Sequence, residues 1–371
     1  MEPSSEPREP RDLENVENLE NVENLENPEN PGMRAVRFHQ HGGLEVLTFE
    51  DAPDPGPASG RAIVRVRACA LNHLDLWERR GIDRVTLPLP HISGSDIAGE
   101  VVDPGEGTVP AGQRVMVQPG LRCGHCAACA ADRDNECVEY DVLGLRSDGG
   151  YAELVSVPLE NLIPIPASVD FITAAAFPLT FLTAWHMLVT RAALRPGEVV
   201  LVLAGGSGVG QAAIQLARHF GARVFATSAP AKADRTRALG AEHVFDHYAG
   251  DFSRELRALT GGRGADIVIE HVGAATWDRS VRALATGGRL VTCGATTGHA
   301  AAVDLRHLFA RQLSLLGSYM GRFTELVTAA SLLFDGLVAP VIDEVFPLAR
   351  AADAQRRLED KEQFGKIVLE L

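Results

Sequence analysis

The stretch that decides the fold is Val199-Val-Leu-Val-Leu-Ala-Gly-Gly-Ser-Gly-Val-Gly210, an apolar run that ends in a glycine-rich turn. A continuous apolar run of this length, bounded by glycines, predicts a strand buried on both faces, as in a parallel sheet. The segment from Gln211 to Phe220 is amphipathic and predicts a helix directly after the turn. Glycines at such a turn let the backbone approach a pyrophosphate at the helix N-terminus, where unpaired N–H groups and the helix dipole favour an anion. The stretch therefore predicts a dinucleotide-binding turn.

The turn departs from the usual G-x-G-x-x-G fingerprint at one position. Gly205 and Gly210 hold the outer positions and Ser207 holds the middle one, while Gly208 and Val209 lie between Ser207 and Gly210. Because a glycine turn alone is weak evidence, its context matters. Further strand–helix units follow at 223–227, 266–269 and 288–293. A doubly wound α/β sheet requires this alternation.

The residue after the second strand indicates which dinucleotide binds. An NAD-selective protein places an acidic residue at this position to bind the ribose hydroxyls. Here the position is Ser228, and Lys232 and Arg235 follow it. A neutral side chain with cations nearby tolerates a 2′-phosphate, so the sequence favours NADPH over NADH. The alternative is that the two cations merely solvate a helix face.

Four of the six cysteines fall within fifteen residues, at Cys123, Cys126, Cys129 and Cys137. Thiols at this spacing satisfy tetrahedral zinc, and a site with four thiolates keeps no open position for chemistry. The spacing therefore predicts one structural zinc ion, with His125 as an exposed loop residue. The alternative is a pair of disulfides, which a chain without an export signal disfavours.

Composition places the chain among soluble globular proteins of two domains, with 46% hydrophobic and 23% charged residues. The formal net charge of −14 would repel a polyanion, so nucleic acid is not an expected partner. No stretch approaches the ~20 apolar residues that a membrane helix needs. We therefore expect a cytoplasmic protein that acts on a small molecule and does not bind a membrane.

The first 32 residues differ from the rest of the chain. They hold ten acidic side chains and two arginines, and the hexad Leu13-Glu-Asn-Val-Glu-Asn18 repeats once at 19–24. Apolar residues at every third position match neither a helix nor a strand. The pattern predicts a disordered acidic tail over residues 1–32, or alternatively a true start at Met33.

From Met33 to Leu371 the arrangement of glycine turn and cysteine cluster resembles the medium-chain dehydrogenase/reductase superfamily. The similarity is to the branch of quinone oxidoreductases and zinc-binding alcohol dehydrogenase-like proteins. The resemblance implies an α/β fold in which a GroES-like, β-rich catalytic domain is joined to a Rossmann domain with a doubly wound parallel sheet. It implies a catalytic domain with the zinc lobe over 33–165, a Rossmann domain over 166–319 and a C-terminal return over 320–371. It also implies a homodimer or homotetramer.

The resemblance is most informative where the sequence departs from it. Alcohol dehydrogenases of this superfamily hold a catalytic zinc at three positions, which here fall on Asn72, Ser95 and Leu179. These residues are not a credible zinc set, because zinc favours thiolate, imidazole and carboxylate. A rearranged site remains as an alternative. Its candidate ligands are His73, Asp75, His91 and Asp96.

The resemblance also implies roles for residues of the active site. Asn72 is expected to donate to a substrate oxygen or to the nicotinamide side, and Asp75 to orient it. Thr183 is expected on the nicotinamide-facing side of the cleft. Lys366 is expected near the cofactor phosphates, with a surface lysine as the alternative. The backbone of three further residues is expected to hold the carboxamide, namely Ala295, Ser318 and Met320.

Together these features predict hydride transfer from NADPH to a quinone or an α,β-unsaturated carbonyl. Without a Lewis acid, the acceptor must itself be electrophilic, and protein hydrogen bonds must stabilise its oxygen. The proton donor stays open between Tyr140, Tyr319 and solvent. Two alternatives remain: a zinc alcohol dehydrogenase with relocated ligands, and a non-catalytic NADPH-binding protein.

Overall fold

A computed structural model of the chain describes residues 32–371. The predicted acidic tail, apart from Gly32, lies outside the described residues. The strands are β1 (Met33–Arg37), β2 (Thr48–Ala52), β3 (Arg61–Ala70), β4 (Asp96–Asp103), β5 (Arg114–Val117), β6 (Gly120–Leu121), β7 (Asp141–Val142), β8 (Leu154–Pro158), β9 (Leu162–Pro164), β10 (Val199–Val202), β11 (Arg223–Ser228), β12 (His243–Asp246), β13 (Ala265–Glu270), β14 (Leu284–Thr292), β15 (Ser314–Gly317), β16 (Ile342–Pro347) and β17 (Lys366–Glu370).

The helices lie between the strands and after them. They are α1 (His73–Arg80), α2 (Ala127–Ala130), α3 (Phe171–Ala175), α4 (Pro178–Trp185), α5 (Gly208–His219), α6 (Ala233–Ala238), α7 (Phe252–Leu259), α8 (Trp277–Ala283), α9 (Leu305–Ala310), α10 (Phe323–Phe334) and α11 (Ala351–Glu359). A π-helical turn continues α4 over His186–Arg191. None of the helices in the described part of the chain has the length and apolar character needed to cross a bilayer.

A six-stranded sheet carries the glycine turn. Its strand order is β12-β11-β10-β13-β14-β15, and each neighbouring pair is parallel. Strand β10, the first of these six in the sequence, therefore lies in the middle of the sheet, and the strand order reverses between β10 and β13. Ligands bind such sheets at this reversal, beyond the carboxyl ends of the strands. The predicted Rossmann fold is confirmed, and the glycine turn after β10 lies at the reversal.

Helix α5 begins at Gly208, three residues before the predicted start at Gln211. The hydroxyl of Ser207 accepts a hydrogen bond from the backbone N–H of Gly210 at 2.9 Å, which makes Ser207 the N-cap. A serine cap satisfies one of the four N–H groups left unpaired at a helix start. The serine at the middle of the altered fingerprint therefore begins the helix.

The catalytic domain is built on a seven-stranded sheet. Its order is β16-β17-β3-β4-β5-β9, and β8 also pairs with β3. The last strand, β17, runs antiparallel to β3, with Val368 opposite Ala70. The N–H of Leu71 donates to the carbonyl oxygen of Ile367 at 2.9 Å. The return of the chain thus places the start of β17 beside the loop that follows β3. The domain boundaries at 165 and 319 stay predictions.

Helix α4 joins the two sheets. Phe177, just before the helix, and Phe181 within it are fully buried, and their rings stack with centroids 4.2 Å apart. They belong to one apolar core that includes Met116 of the catalytic sheet and Val202 of the parallel sheet. Truncating a buried phenylalanine to alanine typically costs about 3–5 kcal/mol, so this core fixes the two sheets relative to one another.

Candidate active site

A cleft of about 520 Å³ lies between the two sheets, at the carboxyl end of β10. We call it the central cleft. Residues of both sheets and of α4 line it, from Asn72 on one side to Tyr248 on the other. Eight of the twelve predicted cofactor residues line this cleft. They are Thr183, Ser207, Gly208, Val209, Ser228, Lys232, Met320 and Lys366.

Gly205 and Gly210 do not line the cleft but make the turn compact. A Cβ on Gly210 would meet the carbonyl oxygen of Ala204 at 2.3 Å, and one on Gly205 would meet Thr236 at 2.7 Å. Both contacts are closer than atoms tolerate, so the turn must be glycine at these positions. Gly206, which the fingerprint does not include, does line the cleft.

The far end of the cleft contains Ser228, Lys232, His247 and Tyr248. The ammonium of Lys232 donates to the carbonyl oxygens of Lys361 at 2.6 Å and Gln363 at 2.8 Å. Partial burial lowers the pKa of Lys232, opposed by the nearby Asp343 carboxylate. No carboxylate is among the residues that line the cleft within the described chain. This end therefore suits a phosphate.

A second cavity of about 590 Å³ adjoins the central cleft; we call it the side cavity. It contains the predicted carboxamide residues Ala295 and Ser318, and it shares Cys293, Gly294 and Tyr319 with the central cleft. Burial raises the pKa of the Cys293 thiol to about 12, so this cysteine stays a neutral thiol. Ala295 and Ser318 thus lie behind the cleft wall.

At the inner end of the central cleft, three polar side chains bind one another. The ammonium of Lys366 donates to Asn72 Oδ1 at 2.7 Å and to Asp96 Oδ2 at 2.8 Å. Asn72 Nδ2 donates to the same Asp96 oxygen at 3.0 Å, and Asp96 Oδ1 accepts from the N–H of Leu179 at 2.8 Å. We call Asn72, Asp96 and Lys366 the inner triad.

Asp75 supports the triad from behind. Its Oδ2 accepts from the backbone N–H of Asn72 at 2.9 Å and from the hydroxyl of Tyr151 at 2.7 Å. Burial raises the pKa of Asp75 to about 6, and it also raises the pKa of the neighbouring Glu78, which Asp75 raises further. Asp75 orients the backbone of Asn72, and it does not line the cleft.

The position of Lys366 rules out the alternative of a surface lysine. Only 2% of the residue is exposed, so it is not a surface lysine. Its methylene stem packs beside the glycine turn, since a Cβ on Gly208 would meet Lys366 Cδ at 3.2 Å. Its ammonium, however, is directed to Asn72 and Asp96. The buried position was not evident because the nearest sequence neighbours, Gly365 and Ile367, are typical of any strand start.

The four clustered cysteines fit a zinc ion. Their sulfur atoms all lie within 4.8 Å of one another, and none forms a disulfide. Backbone N–H groups point at the sulfurs, as from Cys126 to Cys123 Sγ at 3.4 Å. The N–H of Cys129 lowers the pKa of the Cys126 thiol to about 6. Four thiols held this closely satisfy tetrahedral zinc without an open position.

The cysteine lobe (residues 123–137) packs on the segment that forms one wall of the cleft. Asn135 Nδ2 donates to the carbonyl oxygen of Tyr319 at 3.2 Å, and Asp134 accepts from the N–H of Phe323 at 3.1 Å. The lobe thereby holds both ends of the short segment that includes Met320.

The chain is similar to known proteins in both of its domains. Residues 58–167 match the family model of the alcohol dehydrogenase GroES-like domain, and residues 208–335 match that of the zinc-binding dehydrogenase. A crystal structure of an NAD-dependent alcohol dehydrogenase is 45% identical and superimposes with a TM-score of 0.88, covering 91% of this chain and 100% of that one. The chain belongs to the medium-chain dehydrogenase/reductase superfamily.

Two further members of the superfamily show its breadth. Quinone oxidoreductase of Rattus norvegicus is 29% identical over 348 residues, covering 91% of this chain and 97% of the rat protein. The structure of the crotonyl-CoA carboxylase/reductase AntE in complex with NADP is 25% identical, with a TM-score of 0.85, and covers 91% of this chain and 94% of that one. As a member of the medium-chain superfamily, the chain is an oxidoreductase enzyme.

The four candidate ligands of the alternative zinc site do not form one close group in the described chain. Within residues 32–371, the one group of three or more His, Cys, Asp or Glu side chains with ligand atoms within 4.8 Å of each other is the cysteine cluster. Asp75 accepts hydrogen bonds from Asn72 and Tyr151, and Asp96 accepts from Lys366. His91 Nε2 contacts the carbonyl oxygen of Gly144 at 2.8 Å. His73 lines the cleft, and burial lowers its pKa to about 4.

Sequence reasoning missed several residues of this medium-chain enzyme's site. The sequence predicts Asp96 only as a candidate metal ligand, and its bond to Lys366 spans 270 residues. Tyr151 lies 76 residues from Asp75, without any local motif. Asn135 lies between two predicted zinc ligands, which indicates that it belongs to the cysteine lobe. The sequence does not indicate that its partner is Tyr319.

Proposed function

We propose that this enzyme transfers a hydride from NADPH to a quinone or to an α,β-unsaturated carbonyl compound, without a catalytic zinc ion. The observation that carries the proposal is the inner triad. At the position where related alcohol dehydrogenases hold a metal, the amide of Asn72 and a lysine ammonium are bonded to Asp96.

The residues at the inner end of the cleft do not fit a catalytic zinc ion. The three superfamily positions are an amide at Asn72, a hydroxyl at Ser95 and an apolar side chain at Leu179. Zinc favours thiolate, imidazole and carboxylate ligands. The carboxylate that bonds to the Asn72 side chain, Asp96, already binds a cation, Lys366. A carbonyl substrate must therefore be activated by hydrogen bonds.

The central cleft does fit a nicotinamide dinucleotide. Gly206, Ser207 and Gly208 line the cleft at the start of α5, where unpaired backbone N–H groups and the helix dipole favour a pyrophosphate. Ser228 and Lys232 at the far end favour a 2′-phosphate over bare ribose hydroxyls. When bound, the reduced nicotinamide supplies the hydride.

The chain's own residues would then hold the acceptor and exclude water. Apolar side chains form the acceptor side of the cleft, including Leu71, Leu74 and Trp77. A dry wall strengthens every hydrogen bond made to a developing negative charge. Asp75 holds the backbone of Asn72, so the amide stays fixed while the acceptor changes charge. The proposed acceptor is thus apolar with one polar oxygen.

The relatives support this proposal and also name its competitor. One is a quinone oxidoreductase, and another is a reductase of an unsaturated thioester bound to NADP. The NAD-dependent alcohol dehydrogenase, which is 45% identical, favours the second candidate, a zinc-dependent alcohol dehydrogenase. The two candidates differ in the number of bound zinc ions. They also differ in the reaction, which is reduction of a quinone or unsaturated carbonyl in the first and oxidation of an alcohol in the second.

The test is steady-state kinetics on the full chain with a measured zinc content. NADPH oxidation is followed with a 1,4-quinone and an enone, and NADP⁺ reduction with a primary alcohol, before and after a strong chelator. We expect turnover of the quinone or the enone that survives chelation, with one zinc ion per chain. Chelator-sensitive alcohol oxidation with two zinc ions would support the competitor instead. Tight NADPH binding without turnover of any acceptor would favour a non-catalytic role.

We also propose that two copies associate through the edge of the parallel sheet. Among the described strands, β15 pairs with β14 alone, so its outer edge is free. Leu305 and Phe309 of α9, just before β15, are 67% and 71% exposed. An unpaired edge flanked by apolar side chains favours pairing with a second chain. Light scattering that shows a monomer at micromolar concentration would contradict this.

We propose that the enzyme is cytoplasmic, since its free thiols suit a reducing compartment.

A further inference from the structure

The lysines of this chain have an unusual distribution. The sequence holds three lysines and 32 arginines, so arginine serves at nearly every basic position. All three lysines, at positions 232, 361 and 366, line the central cleft. A lysine ammonium is a compact point charge with three N–H donors, whereas a guanidinium is broad and planar. Arg279 is the one arginine among the cleft residues of the described chain, so the cleft holds lysine where the rest of the chain holds arginine.

Lys366 differs from the other two in its burial and its partners. Its ammonium bonds to Asn72 Oδ1 and Asp96 Oδ2, which uses two of its three N–H donors. The third donor remains, and the residue lines the cleft together with Asn72, Leu179 and Thr180. A buried ammonium with one spare donor is therefore held at the inner end of the cleft.

Stability gives no reason for this ion pair. The side chain of Lys366 is 2% exposed and that of Asp96 is fully buried. Removing two charges from water costs about as much as, or more than, their attraction returns, and apolar replacements are often neutral or stabilising. The side-chain amide of Asn72 also bonds to both members of the pair. The arrangement therefore fixes a positive charge in place rather than strengthening the fold.

We propose that Lys366 is a catalytic residue that donates a hydrogen bond to the carbonyl oxygen of the acceptor. This inference rests on the proposed reduction of a quinone or an unsaturated carbonyl. Its ammonium then supplies the positive charge that a metal supplies in related alcohol dehydrogenases. Asn72 and Asp96 are positioning residues that hold the ammonium while its third N–H points at the acceptor.

The reaction balances with this assignment. The enone gains a hydride at its β-carbon, the electron pair of its C=C bond moves to form an enolate, and NADPH is converted to NADP⁺. The Lys366 N–H⁺ stabilises the enolate oxygen by hydrogen bonding and keeps its proton. A proton from solvent then adds to the α-carbon and restores the carbonyl. The net change is enone plus NADPH plus H⁺ to saturated ketone plus NADP⁺.

Three variants separate this role from a structural one. Lys366→Met removes the ammonium but leaves Asp96 buried and unpaired, which itself destabilises the fold. The double variant Lys366→Met/Asp96→Asn removes both charges, and its neutral amide still accepts from the N–H of Leu179. Lys232→Met is the matched control, because it removes another lysine of the same cleft near the cofactor's expected 2′-phosphate.

Each variant is measured in two ways: NADPH affinity by fluorescence titration, and the single-turnover rate of hydride transfer to an enone at saturating NADPH. For the double variant we expect a rate about 100-fold to 1,000-fold lower, as when one oxyanion donor is removed. Its NADPH dissociation constant should stay within about twofold of the wild type, since no cofactor contact is lost. Lys232→Met should instead weaken NADPH binding, which sets its defect apart from that of the double variant.

The outcomes distinguish the inference from the function on which it rests. A wild-type enzyme that reduces neither enone nor quinone would contradict the proposed function. A double variant that reduces the enone at the wild-type rate would contradict the role of Lys366 alone. A double variant whose main defect is weaker NADPH binding would instead assign Lys366 to the cofactor phosphates. Thermal unfolding of the double variant near the wild-type temperature confirms that a lost rate is not lost folding.

Discussion

The side-chain amide of Asn135 donates to the backbone carbonyl oxygen of Tyr319 at 3.2 Å, which joins the cysteine lobe to the wall of the central cleft. The same amide contacts Nε2 of His186 at 3.3 Å, and His186 Nδ1 contacts Glu325 at 2.8 Å. The ring of Tyr319 meets that of Tyr140 edge-on, with centroids 5.8 Å apart. The cysteine lobe thus determines where an aromatic wall of the cleft lies.

The first prediction concerns this connection. Asn135→Ala should raise the KM for the acceptor several-fold and leave the saturated rate within about twofold. The loss of the hydrogen bonds to Tyr319 and His186, each worth about 1 kcal/mol, lets the Tyr319 segment move away from the acceptor without touching the inner triad. Steady-state kinetics checks the split between KM and kcat. Arg133→Ala is the control, since its half-exposed side chain pairs with Glu136 on the same lobe; an equal effect there would mean that the lobe acts only through stability.

Removal of the zinc ion should likewise raise the acceptor KM and leave kcat nearly unchanged. We expect one zinc ion per chain by elemental analysis, and less than half of that in Cys126→Ser, because a tetrahedral site with three thiolates binds far more weakly. The apo form should show a lower unfolding temperature and a raised acceptor KM, while the NADPH affinity stays nearly unchanged. Full zinc occupancy in Cys126→Ser would show that another ligand completes the site.

The fold could be predicted from the sequence because its signals are local. The glycine turn, the buried strand before it and the cysteine spacing each lie within about fifteen residues, and each has one physical explanation. The start of α5 was predicted three residues late because Ser207 was considered as an altered glycine rather than as a helix cap. A capping serine is itself a sequence signal.

The inner triad could not be predicted in the same way. Lys366 binds Asn72 because β17 pairs with β3, and this pairing is set by the return of the chain across nearly 300 residues. No period or spacing encodes that contact. The sequence did indicate that Asn72 stands where a metal ligand is missing, so it located the chemistry without supplying its cation.

Cofactor selectivity gives a third prediction. Ser228→Asp should lower the ratio of kcat/KM for NADPH to that for NADH by at least tenfold, because a carboxylate at the end of β11 repels a 2′-phosphate and binds ribose hydroxyls. The kcat/KM values for NADPH and for NADH are measured with the same acceptor at a saturating concentration. Ser331→Asp, an exposed position on α10, adds the same charge elsewhere and should leave the ratio unchanged. An unchanged ratio in Ser228→Asp would place the ribose pocket at another residue.

The burial of Asp75 predicts a pH dependence of stability. Its pKa is raised from an ordinary value near 4 to about 6, chiefly because burial disfavours the charged form. An acid whose pKa is higher in the folded state stabilises the fold below about pH 4, and this contribution is lost as the pH rises through about 6.

Asp75→Asn should therefore flatten part of the decline in the free energy of unfolding between about pH 4 and pH 7, measured by urea denaturation. The asparagine oxygen still accepts from Asn72 and Tyr151, so the hydrogen bonds are kept in kind. Glu78, whose pKa burial also raises, leaves a residual slope of the same sign. Asp234→Asn, at a side chain 98% exposed, is the control and should keep the full slope. An unaltered slope in Asp75→Asn would show that the pKa of this carboxyl group is not raised in the folded enzyme.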